Sequence, residues 1–229
     1  MTDEQLDLAV AGRSLAGGGR TRHAAEGAHD PTPTPCSVLD ELLGPLDLSG
    51  DSHLLDVGCG EGRVLAYFVG AGLPGRVTGV ELDRGLAERA AAWSARYDNV
   101  RVVAGSALEL PLGEFTHVYL FNPFDTPVLE AFLDRLEREA RGPVTLVHMS
   151  DNGEWPAYLG RAGWELLREG FLELPGEKGD CPQHFSVRRY IGGTKDGAVT
   201  APVPCPTVMR ATRAAASGSV RRSGCRAAR

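Results

Sequence analysis

The sequence predicts an α/β fold: a seven-stranded, mostly parallel sheet with helices on both faces and an antiparallel hairpin at its C-terminal end. Over residues 53–162, strand-like segments rich in branched residues alternate five times with segments of helical periodicity, which is typical of a parallel sheet joined by crossover helices. Residues 164–174 and 183–191 are then both strand-like, and only a loop of Gly, Pro, Lys and Asp separates them. Because no helix lies between these two segments, they predict the closing hairpin.

Local patterns assign the individual elements. A short amphipathic helix at 37–43 ends at Gly44-Pro45, just before the first strand. The strands are predicted at 53–57, 76–81, 100–104, 115–121 and 144–149. The helices between and after them are predicted at 62–69, at 83–97, after the capping residue Asp125, and at 155–162.

Three regions of different composition predict the domain organisation. Residues 1–30 are rich in Gly and Ala and predict a mostly flexible N-terminal segment. Pro31-Thr32-Pro33-Thr34-Pro35 predicts a stiff, extended lead-in, because each proline fixes its own φ and restricts the residue before it. We therefore expect one folded domain over residues 31–191 and a disordered basic tail over residues 192–229.

Charge and composition argue against several classes of protein. The tail holds seven basic residues and one acidic residue, a net of +6, so residues 1–191 carry −12 where the whole chain carries −6. An acidic body does not resemble a protein that binds double-stranded nucleic acid, since phosphate contacts need clustered Lys and Arg. No apolar run approaches the about 20 residues of a membrane span, and no secretory signal is expected. The five scattered cysteines lack a C-x-x-C pair, so we expect neither a disulfide framework nor a metal site, and a reducing cytoplasm is the expected setting.

A glycine-rich turn follows the first strand and predicts a ligand site. Gly58, Gly60 and Gly62 stand at alternate positions between an apolar strand and the next helical pattern. Glycine permits positive φ and close approach of a ligand, and a helix start offers free N–H groups. The turn therefore predicts a cradle for a nucleotide-like ligand at the carboxyl end of a strand. A tight turn without a ligand is the alternative.

An acidic residue at the end of the second strand narrows the choice of ligand. Glu81 lies 25 positions after Asp56, where a carboxylate can accept hydrogen bonds from both hydroxyls of a ribose. The glycine spacing is G-x-G-x-G, led by Asp56, and not the G-x-G-x-x-G of nicotinamide cofactor sites. A ribose is therefore expected, but the nicotinamide signature is imperfect.

Together these motifs resemble those of the class I S-adenosylmethionine-dependent methyltransferases. The run 56–62 resembles the first motif of that family, and Gly79-Val80-Glu81-Leu82-Asp83 resembles its second. Ala104-Gly105-Ser106-Ala107 stands where the family has a Gly-Asp-Ala-type loop, and Asn122-Pro123-Phe124 stands at its fourth motif. The likeness covers about residues 36–191, and the proline-rich lead-in is similar to that of a small bacterial group with an Asn-Pro-Phe fourth motif.

The resemblance implies a Rossmann-like sheet that binds S-adenosylmethionine. The backbone at Gly58, Gly60 and Gly62 would meet the methionine part of the cofactor, with Cys59 as a small spacer in the turn. Asp56 would orient the turn and lie near the cofactor's amino group.

The adenosine half of the cofactor is assigned by the same resemblance. Glu81 would hold the ribose, and Leu82 would pack on the adenine. Ser106, followed by Ala107, replaces the Asp that usually accepts from the adenine amino group. A neutral hydroxyl is a weaker acceptor than a carboxylate, so looser recognition of adenine is expected.

The resemblance places the methyl acceptor beside the fourth strand. In amino-group methyltransferases an Asn/Asp-Pro-Pro-aromatic motif holds the target nitrogen with a side chain and a backbone carbonyl, and an aromatic ring stacks on it. Here Asn122, Pro123 and Phe124 carry over only in part, because Phe124 takes the place of the second proline. A plain strand-exit turn is the alternative, since Asn-Pro favours turns.

Other candidates are weaker. Asp151 and Asn152 follow the fifth strand and either contact substrate or cap the next helix. His148 lies inside a strand and is expected to be a core residue. His29 and the lead-in are expected to form either a lid over the cofactor or a simple tether.

The sequence thus predicts an S-adenosylmethionine-dependent methyltransferase. Its acceptor is unidentified, and a nitrogen of a small molecule or protein is the first expectation. Two alternatives stay open: a nicotinamide-dependent oxidoreductase, and a cofactor-binding regulatory module without catalysis.

Overall fold

The computed structural model describes residues 1–150, 153–174 and 181–192 of the chain. Its strands are β1 (His53–Val57), β2 (Arg76–Glu81), β3 (Val100–Ala104), β4 (His117–Phe121), β5 (Val144–Met149), β6 (Trp164–Leu174) and β7 (Cys181–Tyr190). Its α-helices are α1 (Asp3–Ala11), α2 (Cys36–Leu43), α3 (Arg63–Gly70), α4 (Arg84–Ser94) and α5 (Thr126–Glu139). Single 3-10 turns lie at Ala24–Glu26 and Trp155–Tyr158.

The seven strands form one sheet in the order β3-β2-β1-β4-β5-β7-β6. β1 to β5 are parallel, and β7 runs antiparallel to both β5 and β6. The predicted fold class, a mostly parallel sheet closed by an antiparallel hairpin, is therefore confirmed.

Helices cover both faces of the sheet, which explains why its central strands are buried along their whole length. All residues of β1 and β5 are buried, as expected for parallel strands between two helical layers. On one face α1 to α4 pack around a core that includes Leu39 and Phe68. On the other face α5 contributes Phe132 to a second core with Leu120 of β4.

The strand order reverses at β1, which has β2 on one side and β4 on the other. At such a switch point the two crossover connections leave in opposite directions and open a crevice at the carboxyl ends of the strands. The glycine turn after β1 and the Asn122 turn after β4 both open onto this crevice.

The N-terminal segment is folded, and the prediction of a mostly flexible coil over residues 1–30 is wrong for this region. Thr2 and Gln5 form a capping box at the start of α1. Leu6 and Val10 are buried against the backbone of Gly70 in α3, where a side chain would leave them no room. Long-range packing therefore orders a segment whose own composition favours disorder.

Several boundaries also differ from the predicted ones. The helix predicted at 83–97 ends at Ser94, and the one predicted at 155–162 is the single turn Trp155–Tyr158. Asp151, Asn152 and the tail beyond Gly192 lie outside the described residues. Among the helices of the described ranges, none has both the length and the apolar character needed to cross a membrane.

Candidate functional site

A cavity of about 300 Å³ lies at the carboxyl ends of β1, β2 and β4. Its floor is the glycine turn, and its side walls come from residues 80–83 and 105–108 and from Phe121, Pro123 and Phe124. Its remaining wall is residues 15–34, which we call the N-terminal strap. The predicted cofactor residues and the Asn122 turn therefore border the same cavity, and the N-terminal strap borders it as well.

The glycine turn has the left-handed geometry that its sequence predicts. Gly58, Gly60 and Gly62 have φ values of 73°, 56° and 93°. The N–H groups of Gly58 and Cys59 both donate to the carbonyl of Val80, at 2.9 and 3.1 Å, which fixes the turn to the end of β2. A Cβ on Gly60 would meet nothing within 4 Å, so the turn leaves open space at its centre.

Two neighbours explain the other glycines. A Cβ on Gly62 would lie 2.9 Å from the indole ring of Trp93, whose Nε1 donates to the carbonyl of Glu61 at 2.9 Å. A Cβ on Gly58 would lie 3.0 Å from Cβ of Pro123. The turn after β1 thus touches the turn after β4.

Glu81 lines the cavity and also holds the turn in place. One carboxylate oxygen accepts from the N–H of Gly60 and the other from that of Asp83, both at 2.8 Å. Burial raises the pKa of this carboxyl group, although the backbone hydrogen bonds oppose the shift. Each oxygen has a second lone pair, so Glu81 can still accept from a ribose hydroxyl.

Asp56 supplies a buried oxygen that has no partner. It ends β1 beneath the turn, is 3% exposed and lines the cavity. Its Oδ2 makes no hydrogen bond within the described chain. Burial, with a smaller contribution from the charge of Glu81, raises the pKa of Asp56 to about 8. A cationic donor such as an ammonium group would satisfy this atom and favour its charged form.

The remaining predicted cofactor residues also lie at the cavity. Leu82, Ser106 and Ala107 line it beside Glu81, and the Ser106 hydroxyl accepts from the N–H of Leu108 at 3.2 Å. Cys59 is buried against Gly79, and burial raises the pKa of its thiol well above the usual value. Such a thiol fills space and is not a nucleophile.

The Asn122 turn is covered by the strap. Its Asn122 has a φ of 40°, and its Oδ1 is buried without a hydrogen-bond partner among the described residues. Pro123 and Phe124 line the cavity, whereas Asn122 is not part of the lining. The carbonyl of Asn122 accepts from Nδ1 of His29 at 2.8 Å, and that of Pro123 accepts from the N–H of His29 at 3.0 Å.

This pairing gives the motif a partner that the resemblance does not include. The carbonyls of Asn122 and Pro123 each accept from His29 and keep a second lone pair, and Ala28 forms an antiparallel bridge to Phe124. A single bridge and the two hydrogen bonds of His29 therefore hold the strap to the motif, and the sequence did not predict this contact between residues 93 positions apart.

The strap is anchored near both of its ends by buried polar contacts that the sequence did not reveal. Arg63, at the start of α3, pairs with Asp7 at 2.7 Å and with Asp3 at 2.9 Å. Asp7 also accepts from the N–H of Leu15 at 2.7 Å, where the strap begins. At the other end the hydroxyl of Thr34 lies 3.0 Å from that of Tyr119.

Two weaker candidates, His148 and Asp125, make hydrogen bonds that support the fold. Nδ1 of His148 lies 2.9 Å from the hydroxyl of Tyr158 in the core of the sheet. Asp125 caps α5 by accepting from the N–H of Val128. Within the described ranges, no group of three or more His, Cys, Asp or Glu side chains is arranged to hold a metal ion.

Comparisons with known proteins agree with this geometry. Residues 54–141 match a family model described as a methyltransferase domain. A curated relative, ribosomal RNA small subunit methyltransferase A of Synechococcus sp. (strain RCC307), is 29% identical over 157 residues. That match covers 64% of this chain, and it spans 57% of the relative's own length.

Solved structures share the fold at low sequence identity. An RNA methyltransferase from Salinibacter ruber, in complex with S-adenosyl-L-homocysteine, is 23% identical with a TM-score of 0.52 and covers 74% of this chain and 98% of its own. A putative RNA methyltransferase from Pyrococcus horikoshii is 17% identical with a TM-score of 0.53 and covers 83% of this chain and 98% of its own.

The class predicted from the sequence is therefore confirmed. Residues 54–141, which hold the glycine turn, Glu81 and the Asn122 turn, are the part of the chain that matches the methyltransferase-domain model. The assignment to a small group with an Asn-Pro-Phe fourth motif, and the role of each site residue, stay predictions.

Proposed function

We propose that this protein transfers the methyl group of S-adenosylmethionine to a nitrogen atom of a small molecule or a protein. One observation carries the proposal: Oδ2 of Asp56, a buried oxygen without a partner, lies on the cavity wall beneath three left-handed glycines. A buried acceptor of this kind is costly unless a ligand donates to it. The α-ammonium group of S-adenosylmethionine is a donor of the required charge.

The other cavity residues fit the rest of that molecule. The open space at Gly60 admits the methionine part, and the free lone pairs of Glu81 suit the ribose hydroxyls. Leu82 offers an apolar wall for the adenine, with Ser106 and Ala107 at its edge.

The bound cofactor would supply a methyl group on a positively charged sulfur. This chain contributes the alignment of that group with the acceptor, which alone can supply a large part of the rate enhancement. The strap contributes by excluding water from the cavity. Oδ1 of Asn122 is buried without a partner in the described chain, next to the cavity residue Pro123, and we assign it to an N–H group of the substrate.

A nitrogen of RNA is the second candidate for the acceptor. It is favoured by the curated relative, whose name is that of a ribosomal RNA methyltransferase. The net charge of −12 over residues 1–191 weighs against it, since RNA phosphates attract basic surfaces. We further place the enzyme in the cytoplasm, because Cys36 and Cys59 are free and buried.

Cofactor binding tests the first part of the proposal. S-adenosylhomocysteine should raise the melting temperature of the protein, and NAD should not. The reverse result would favour the nicotinamide-dependent alternative.

Transfer of tritiated methyl groups tests the second part. The protein is incubated with labelled S-adenosylmethionine and with the small-molecule, protein and RNA fractions of a cell extract. Label in one fraction identifies the acceptor class, whereas binding without transfer to any fraction would favour a regulatory module. Asn122→Ala should lower kcat with the accepting fraction, and an unchanged kcat would remove Asn122 from the site.

A further inference from the structure

We propose that His29 is the group that accepts the proton of the methyl-accepting nitrogen. The inference rests on the proposed function and adds a residue that the methyltransferase motifs do not contain. His29 lies on the strap, lines the cavity and contacts both residues of the Asn122-Pro123 turn. It is therefore on the acceptor side of the site, at the carboxyl end of β4.

The hydrogen bond to Asn122 fixes the state of the imidazole ring. Nδ1 of His29 lies 2.8 Å from the carbonyl oxygen of Asn122, and a carbonyl oxygen only accepts. Nδ1 therefore carries a hydrogen, so in the neutral ring the free lone pair is on Nε2. A histidine oriented in this way by a carbonyl is prepared to act as a base through its other nitrogen.

Two histidines, His23 and His29, line the cavity; Nδ1 of His23 pairs with Glu26, and only His29 contacts the Asn122-Pro123 turn. In the described part of the chain Nε2 of His29 has no hydrogen-bond partner. The carboxylates on the wall already have partners within the protein: Glu26 with His23, Asp30 with the N–H of Thr21, Glu61 with Arg13 and Arg89, and Glu81 with two backbone N–H groups. Asp56 lies beneath the glycine turn, at the cofactor end.

In the transfer step the acceptor nitrogen forms a bond to the methyl carbon, and the carbon–sulfur bond breaks with its electron pair remaining on sulfur. The proton that the nitrogen loses passes to Nε2 of His29. The exposed ring then returns this proton to solvent.

Several charged groups lie around His29. Asp30 follows it on the strap, and Glu26 lies one turn before it. Across from the strap, Asp125 of the α5 cap touches Gly27. Arg20 and His23 line the same cavity, so charges of both signs surround the ring. A general base must be unprotonated to accept a proton, so activity should fall as the pH is lowered.

His29→Asn and His29→Ala form a matched pair of variants. The amide N–H₂ of Asn can occupy the position of Nδ1 and keep the bond to the Asn122 carbonyl, but Asn has no atom at Nε2. We expect His29→Asn to lower kcat about 100-fold with the accepting fraction of the extract, the usual size of a general-base contribution. The acidic limb of its pH profile should disappear, and its affinity for S-adenosylhomocysteine should stay within about twofold of the wild type. His29→Ala should lose the same kcat and should also raise KM, because the strap loses its contact.

A measurement without turnover tests the geometry directly. Nitrogen-15 NMR of histidine-labelled wild-type protein should show Nδ1 of His29 protonated and Nε2 unprotonated at pH 8. The opposite tautomer would overturn the proposal, as would a kcat or a pH profile of His29→Asn equal to that of the wild type. A wild type that binds S-adenosylhomocysteine but methylates no fraction would remove the proposed function and this inference together. An active wild type with an equally active His29→Asn variant would remove this inference alone.

Discussion

The two ends of the cavity are built in different ways. The cofactor end is made by Asp56, the glycine turn and Glu81, which come from two successive strands of one β-α-β unit. The acceptor end pairs the Asn122 turn with His29, which is 93 positions earlier in the chain. The first end is a local structure that a short sequence motif describes, whereas the second depends on where the N-terminal strap is held.

This difference indicates that substitutions in the strap can change specificity for the methyl acceptor without loss of the cofactor site. The cofactor end is fixed by backbone hydrogen bonds from the turn to Val80 and Glu81. The acceptor end is fixed by the anchors of the strap, chiefly Arg63 with Asp7 and Thr34 with Tyr119. Four predictions test this division.

The largest effect is expected from the buried anchor of the strap. Asp7→Asn leaves the guanidinium of Arg63 buried with only Asp3 as a charged partner, and loss of one partner of a buried pair costs about 3 kcal/mol or more. Urea unfolding followed by circular dichroism measures the loss. Asp3→Asn is the matched control, because the side chain of Asp3 is 43% exposed, and it should cost less than about 1 kcal/mol. Equal losses from the two variants would contradict the assignment of Asp7 as the main anchor.

The next effect concerns the shape of the glycine turn. Gly62→Ala forces a side chain into a left-handed conformation and against the ring of Trp93, so we expect it to lower the free energy of unfolding by about 2–4 kcal/mol. Gly60→Ala should cost only about 1–2 kcal/mol, because its Cβ enters open space. That same Cβ would occupy the cofactor cradle, so Gly60→Ala should instead weaken S-adenosylhomocysteine binding in calorimetry. A Gly60→Ala protein that binds normally would place the cofactor elsewhere.

A smaller effect is expected at Glu81. Glu81→Gln removes a charge-assisted hydrogen bond to the ribose, which is worth about 1.5–3 kcal/mol, so affinity for S-adenosylhomocysteine should fall about 10-fold to 100-fold. Isothermal titration calorimetry measures it. Glu88→Gln on the exposed face of α4 is the control, since its partner Arg84 lies at the surface. An unchanged affinity of Glu81→Gln would remove Glu81 from the ribose site.

The smallest effect follows from the raised pKa of Asp56. The folded, cofactor-free protein holds a proton on Asp56 up to a pH of about 8, whereas the unfolded chain loses it near its ordinary value of 3.8. The folded state binds more protons in this range, so the contribution of Asp56 to stability decreases as the pH rises from about 4 to about 8. A cationic ligand favours the carboxylate, and affinity for S-adenosylhomocysteine should therefore rise several-fold between pH 7 and pH 8.5.

Calorimetry in buffers of different ionisation enthalpy should detect the proton that binding releases from Asp56. Asp56→Asn should show neither this release nor the loss of stability toward pH 8. Proton release of wild-type size in Asp56→Asn would assign the titration to another group.

Most of the cofactor end could be predicted from the sequence, because it depends on neighbours in the chain. The positive φ values of Gly58, Gly60 and Gly62 and the location of Glu81 at the end of β2 all agree with the sequence pattern. Glu81 also accepts from the N–H groups of Gly60 and Asp83. The sequence did not predict these bonds, because an acidic residue at a strand end does not indicate how the neighbouring loops fold.

The acceptor end could be predicted only in outline. The sequence placed Asn122, Pro123 and Phe124 after the fourth strand, at the carboxyl edge of the sheet. It did not predict that the carbonyls of Asn122 and Pro123 pair with His29. The composition of residues 1–30 favours disorder, and tertiary contacts such as the burial of Leu6, Asp7 and Val10 overcome that tendency. Such burial requires the sheet and α3 to exist already.

The sequence by itself determined the succession of strands and helices along the chain and the glycine turn, because periodicity and turn chemistry act over a few residues. The cofactor followed from the resemblance of the motifs to those of a known family. The tertiary structure alone decided that the N-terminal strap forms one wall of the cavity and that His29 contacts the Asn122-Pro123 turn. The physical reason is that these contacts join surfaces far apart in sequence, and an ion pair such as that of Arg63 with Asp7 forms only when packing buries both partners.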